Sequence, residues 1–333
     1  MQIEGRVKDI TARDFWAAKK RIKPYVTRTP LIYSKALSDI TKANVYIKAE
    51  NLQAIGAFKV RGAANKLLSI SEEQKAIGVS TFSTGNHGMA VAYMANRLGI
   101  PAQICMSRYV PQVKVDAIGQ WNPTIKQDWE TQDEAQKYCE ELQEKEGVMI
   151  IPPFDDKYIL CGQGTIGLEI IEDLPEVDTI IAPLSGGGLL SGISLSSKMS
   201  VPDIKVIGTC MFGGAAMVES LKVGKPIEVP EDTTFADSLL GGIGLDNQYT
   251  FDIVKDYVDE IHQIAEEEIA KGIEFVLEKH RMLIEGASAT GIAYALQPGT
   301  IEEGSNVVIV TTGCGISREW LDLVLAGKTL DGR

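Results

Sequence analysis

The feature that most constrains this chain is a repeated unit in which a short β-rich run ends in a small-residue turn and reopens as a longer helical run. The clearest copy has a strand over 178–184, a turn at Ser185-Gly186-Gly187-Gly188 and a helix over 189–198. Strands joined by helices pair in parallel, so the series predicts an α/β chain with mostly parallel sheet covered by helices. Strands are expected at 45–49, 78–82, 102–106, 148–151, 204–209 and 306–310. Helical periodicity covers 59–68, 87–98, a run through Val113 and Ile118, 131–145, 215–221 and 266–279. Thr11-Ala12-Arg13-Asp14 is a capping pattern for a first helix, and one more helix fits after Gly315. The Pro152-Pro153 pair reads as a crossing between two lobes. No linker, internal repeat or low-complexity tract interrupts the series.

Several function classes are excluded early. A formal charge of -12 argues against a nucleic-acid or anionic-membrane surface. No apolar run approaches the roughly 18 residues of a membrane span, and the N-terminus lacks the apolar core of a signal peptide. The five cysteines (Cys105, Cys139, Cys161, Cys210 and Cys314) include no C-x-x-C, which is reduced-thiol usage and implies a cytoplasmic protein. His87, His262 and His280 are scattered, so no metal site is expected. Gly162-Gln163-Gly164-Thr165-Ile166-Gly167 spells G-x-G-x-x-G, but no clear strand leads into it and no acidic residue follows at the ribose-binding distance. It is set aside as a dinucleotide site.

Three glycine-rich turns fall between expected strands and helices, the rim where parallel sheets bind ligands. Ser185-Gly186-Gly187-Gly188-Leu189 lets backbone N–H groups converge on a phosphate at a helix N-terminus. Without a Walker lysine it suits a phosphate that stays bound. Ser83-Thr84-Gly85-Asn86-His87 offers hydroxyls, an amide and free N–H groups to a carboxylate or a cofactor oxygen, though such a cluster alone is more often a helix cap. Thr311-Thr312-Gly313-Cys314-Gly315 could present a hydroxyl to a ring nitrogen, where the plainer reading is a strand-ending turn. Lys59 stands between Phe58 and Val60 ahead of small residues, an apolar setting in which a lysine amine can lose its proton and act as a nucleophile. A lone lysine at a helix start is ordinarily solvated. Together, however, a lysine in an apolar setting, a phosphate cradle, a carboxylate-type loop and a ring-nitrogen donor are what pyridoxal phosphate requires.

The segment Ala57-Phe58-Lys59-Val60-Arg61-Gly62-Ala63 resembles the Ser-Phe-Lys-x-Arg-Gly-Ala motif of the fold-type II pyridoxal-phosphate enzymes, the threonine/serine dehydratase and serine racemase family. The 83–87 and 185–189 loops, Gly162-Gln163-Gly164-Thr165 and Ile284-Glu285-Gly286 follow in the family's order, so the likeness spans roughly 10–320. Ser-Thr-Gly-Asn-His-Gly, Ala236-Asp237-Ser238-Leu239 and the 241–247 segment look most like the hydroxyectoine-utilisation dehydratases. The resemblance implies a tryptophan synthase β-like α/β fold of two lobes, each an open, mostly parallel sheet covered by helices. A large cofactor-binding domain would comprise 1–75 and 149–333, and a small domain 76–148. It implies pyridoxal 5'-phosphate as cofactor, a small amino acid as substrate and a homodimer.

By that resemblance Lys59 carries the cofactor covalently and moves the α-proton, Phe58 packs on the ring and Asn86 bonds its 3-oxygen. The N–H groups of Ser185, Gly186, Gly187, Gly188 and Leu189 hold the phosphate, Thr312 faces the ring nitrogen and Glu285 lies nearby. Ser83, Thr84, Asn86 and His87 receive the substrate carboxylate. The implied reaction removes water and ammonia from a small β-hydroxy amino acid (threonine, serine or a hydroxyectoine-derived hydroxy-diamino acid). A racemase or β-replacement synthase on the same scaffold is the alternative, and a non-catalytic cofactor- or metabolite-binding protein a remote one. Four positions depart from the family pattern. Ala57 replaces the usual serine, Ser238 a glycine, and Thr84 stands where racemases place a second proton-transfer serine. Cys210, with Gly214 and Ala216, occupies the family's metal positions, so that site is expected to be absent or altered.

Overall fold

A computed structural model describes residues 9–328 and Leu330. The chain opens with α1 (Ala12–Ile22), β1 (Leu31–Tyr33), α2 (Lys35–Thr41), β2 (Asn44–Ala49), α3 (Lys59–Leu67) and α4 (Glu72–Ile77). It continues through β3 (Val79–Thr81), α5 (Asn86–Leu98), β4 (Ala102–Ser107), α6 (Gln112–Gly119), β5 (Thr124–Trp129), α7 (Gln132–Glu146) and β6 (Met149–Ile150). Next come α8 (Lys157–Asp173), β7 (Thr179–Pro183), α9 (Gly188–Ser200), β8 (Lys205–Met211), α10 (Ala216–Val223), α11 (Thr250–Tyr257) and β9 (Glu260–Ile264). The last elements are α12 (Glu266–His280), α13 (Gly286–Leu296), β10 (Asn306–Thr311) and α14 (Arg318–Leu325).

Two sheets result. One has the order β1-β2-β10-β7-β8-β9, the other β5-β4-β3-β6. β1 runs antiparallel to β2, and the remaining pairs are parallel. This is the α/β arrangement of two mostly parallel sheets that the sequence predicts. β10 is central and covered on both faces, which explains its unbroken Val307-Val308-Ile309-Val310 run. Val307 and Ile309 join the core beneath α12 and α13, whereas Val308 and Val310 join the core under α8 and α9. α3 leans on the smaller sheet's layer: Val60, Ala64 and Leu67 share one apolar cluster with Ala90, Val91, Met94 and Ile104.

The largest element missing from the sequence reading is α8. Its Gly162, Gly164 and Gly167 belong to the string set aside as a dinucleotide site, and all three lie in the interior of a buried 17-residue helix. The reason is close packing. A Cβ at Gly162 would lie 2.5 Å from the Arg61 carbonyl oxygen, and one at Gly167 2.5 Å from Ser196 Oγ. At Gly164 it would strike the Phe15 ring and stand 2.6 Å from the Gly192 carbonyl oxygen. The G-x-G-x-x-G string is thus where α8 crosses α1, α3 and α9, not a phosphate turn. α13 (GASATGIAYAL) also escapes the pattern, because burial on every side leaves it no polar face to mark a period.

Candidate active site

The C-terminal ends of β7 and β10, the start of α5 and the segment around Lys59 come together, and local bonding explains how. Gly56, in the left-handed region at φ 71°, turns the chain so that Phe58 N–H donates to the Thr312 carbonyl at 2.9 Å and Cys314 N–H to the Gly56 carbonyl at 3.0 Å. Ala57 pairs with Gly313 in an antiparallel bridge. Lys59 therefore opens α3 directly against the end of β10. Its ammonium donates to the Pro153 carbonyl at 2.7 Å and lies 5.3 Å from the centre of the Phe58 ring. Burial pushes the amine down to about 8, the negative charge of Glu285 pulling the other way. Its bonded partner is a carbonyl rather than a carboxylate, so the amine is held without being locked in its charged form.

The second wall is the turn after β7. Gly187 adopts φ 87°, and α9 begins at Gly188, so the first N–H groups of that helix have no carbonyl four residues back to bond. Cβ atoms at Gly186 and Gly188 would stand 2.5 Å and 2.8 Å from Phe154, which is packed against the turn. The Pro153-Phe154 dipeptide thus touches both the lysine amine and the glycine loop. Neither residue carries a sequence signal beyond the proline pair, and the sequence reading assigned them no part in the site.

The 83–87 segment forms the third wall. A Cβ at Gly88 would collide with the Ser83 carbonyl, which fixes the tight turn into α5. Asn86 donates to both oxygens of Glu285, at 3.0 Å and 3.1 Å. His87 lies 2.9 Å from the Ile151 carbonyl through Nε2. A carbonyl only accepts, so Nε2 carries the proton. Burial first, then the charge of Lys59, push this imidazole down to about 3, and it is neutral. Its one side-chain donor is occupied. What His87 can offer a carboxylate is its backbone N–H in the first turn of α5.

The fourth wall is α13 with the end of β10. Glu285 precedes α13 and accepts from Asn86, from Ser238 Oγ at 3.1 Å and from Gly315 N–H at 3.0 Å. Burial raises its pKa, while the bonds from Asn86 and Ser238 oppose the rise. Gly313 is glycine because a Cβ there would meet Glu285 Oε1 at 2.6 Å. Thr312 is buried, its hydroxyl 2.9 Å from that of Ser288, a residue that the sequence reading missed.

Residues 22–313 match the family described as "Pyridoxal-phosphate dependent enzyme". The chain belongs to that family. It is 40% identical over 325 residues to the L-threonine ammonia-lyase of Thermotoga maritima, covering 97% of this chain and 80% of the relative. It is 40% identical over 309 residues to the catabolic L-threonine dehydratase of Staphylococcus aureus strain N315, covering 91% and 88%. Maize serine racemase superposes with a TM-score of 0.88 at 33% identity, covering 95% of this chain and 96% of that one.

The cofactor of this pyridoxal-phosphate enzyme is pyridoxal 5'-phosphate, and the residues present suit it. A partly deprotonated amine fits the carbonyl of the cofactor. A glycine turn at a helix N-terminus fits its phosphate. A buried hydroxyl at the end of β10 fits a ring nitrogen. Cys210 offers no comparable fit to a hard cation: it is buried, with its thiol pushed up to about 12 by burial. Among the described residues no group of three or more His, Cys, Asp or Glu side chains could hold a metal ion.

Proposed function

We propose that this chain is a pyridoxal-phosphate-dependent ammonia-lyase that converts a small β-hydroxy amino acid to a 2-oxo acid and ammonia. The observation that carries the reading is Lys59, an amine pushed down to about 8 and held by a backbone carbonyl. At pH 7 about a tenth of such an amine is free base, against well under a thousandth of an ordinary lysine. The ammonia-lyase and dehydratase relatives, at 40% identity over nearly the whole chain, support the reaction class.

When bound, pyridoxal phosphate supplies the carbonyl that captures an amine and the ring that draws electrons from the Cα–H bond. Lys59 Nζ, once free, takes the α-proton. The N–H groups of Ser185, Gly186, Gly187, Gly188 and Leu189 would bind the phosphate, and Phe58 would pack on the ring. Asn86 would bond the 3-oxygen while sharing its amide with Glu285. The hydroxyls of Ser83 and Thr84, with the N–H groups of Asn86 and His87, orient the carboxylate. Thr312 gives the ring nitrogen a neutral partner. A hydroxyl, unlike a carboxylate, would leave that nitrogen unprotonated, a setting suited to elimination of a β-hydroxyl. Water leaves and is regained, so the net products are one 2-oxo acid and one ammonia.

For substrate we propose threonine or serine, or a hydroxy-diamino acid derived from hydroxyectoine. Hydroxyectoine itself is a cyclic amidine without a primary amine and cannot condense with the cofactor. The likeness to serine racemase supports a second reading, racemisation, with the Thr84 hydroxyl as the second proton-transfer group. Residues 1–75 and 149–333 would form the large domain and 76–148 the small one, in a cytoplasmic homodimer. Lys59→Ala should abolish both the visible absorbance of lysine-bound cofactor and oxo-acid release, and survival of either overturns the assignment. A screen of β-hydroxy amino acids for oxo acid, ammonia and the opposite enantiomer separates the two reactions.

A further inference from the structure

We infer that Ser288, on α13, is a positioning residue that aims the hydroxyl proton of Thr312 at the cofactor ring. The inference rests on the reading of Thr312 as the ring-nitrogen partner. A serine hydroxyl has one proton to donate and two lone pairs to accept with. Ser288 Oγ accepts the Thr312 N–H at 2.8 Å and the Gly313 N–H at 2.7 Å, which occupies both lone pairs. Its own proton faces two acceptors, the Gly313 carbonyl at 2.8 Å and Thr312 Oγ1 at 2.9 Å. Whichever it favours, Ser288 has no lone pair left to receive a proton from Thr312. The Thr312 hydroxyl is therefore barred from donating backwards into the protein and keeps its proton for whatever stands in front of it.

The surroundings fix this arrangement. Ser288 and Thr312 are both buried, and the Thr312 carbonyl is pinned by Phe58 N–H at 2.9 Å. The backbone at 312–313 is thereby clamped from the α13 side by Ser288 and from the Lys59 side by Phe58. A water molecule in place of Ser288 Oγ could take either role and would leave the direction of the Thr312 proton unset.

The test is a double-mutant cycle read on cofactor binding, with turnover not involved. Apoprotein carrying Ser288→Ala, Thr312→Val or both is titrated with pyridoxal 5'-phosphate, and the visible absorbance gives a dissociation constant. Thr312→Val is expected to weaken binding roughly tenfold, as loss of one buried hydrogen bond does, and Ser288→Ala several-fold. If Ser288 acts through Thr312, the double variant binds no more than about twofold more weakly than Thr312→Val alone. Multiplicative losses would show that Ser288 serves only the backbone, and this inference falls while the Thr312 reading stands. An unchanged constant for Thr312→Val would overturn the Thr312 reading itself. Ser288→Cys, close in volume but a poor donor and acceptor, repeats the cycle should the alanine variant not fold, and the same non-additivity is expected.

Discussion

Arg61→Met is expected to lower the melting temperature of the chain by about 4–7 °C. Arg61 lies one residue beyond Val60 on the helix that Lys59 opens, and it is fully buried. Its guanidinium donates to Glu50 at 2.7 Å and 2.8 Å, to Glu169 at 2.8 Å through each terminal nitrogen, and to Thr165 at 3.1 Å. Lys48 adds a 2.7 Å bond to Glu169, so two cations face two carboxylates out of water. Removing Arg61 leaves two buried carboxylates with one cation. Breaking a buried pair from one side costs about 3–5 kcal/mol. A chain of 333 residues unfolds with an entropy near 0.7 kcal/mol/K, on the order of 2 cal/mol/K per residue. The quotient is the shift above.

Differential scanning calorimetry of the apoprotein at 0.1 M and 1 M NaCl supplies the assay, because buried pairs are screened little. Burial pushes Glu169 up, but Arg61 and then Lys48 hold it below its ordinary 4.5. The unfolded chain then binds protons first on acidification, and the stability from Glu169 is present above about 4.5 and lost as pH falls through its folded value. Arg61→Met should flatten that acid limb. A melt within a degree of the parent, or a difference that vanishes in 1 M salt, would refute the reasoning.

Two further outcomes follow from the same geometry. Cofactor capture by the apoprotein should accelerate with pH and level off above about 8, and stopped-flow absorbance that climbs unbroken towards 10 would contradict the lowered Lys59 pKa. Gly162→Ala, which places a methyl 2.5 Å from the Arg61 carbonyl oxygen, should destabilise by about 1–3 kcal/mol, measured by urea unfolding.

Much of this fold is legible wherever residue pattern and environment agree. β2, α3, α5, α9 and β10 combine a clear period with a capping or glycine signal, and they lie within a residue or two of their expected positions. The pattern fails where a helix is buried on every side with no strand-and-turn signal ahead of it, or where an edge strand is short. α8 is buried along most of its length with polar residues inside, α13 is small and mostly apolar all round, β1 has three residues, and the edge strand β9 is mostly half-buried. The site divides along the same line. Lys59, the 185–189 turn and Glu285 were visible because motif order carries them. The Pro153 carbonyl was not, since a backbone acceptor leaves no mark on residue type. Ser288 hides inside the featureless α13. His87 was legible as a position, but the direction of its ring, towards Ile151, depends on a contact 64 residues away.

The glycines of α8 bear on how the molecule is held together. Each interior glycine weakens a helix by about 1 kcal/mol, so three of them leave α8 with little tendency to form alone. Its glycines bring α1, α3 and α9 to backbone distance, so the helix is held by its neighbours more than by its own propensity. The same packing fixes the head of α3, where Arg61 bonds Glu169 of α8, 108 residues away. The position of the Lys59 amine thus rests on contacts distant in sequence, its own acceptor at Pro153 lying 94 residues along the chain.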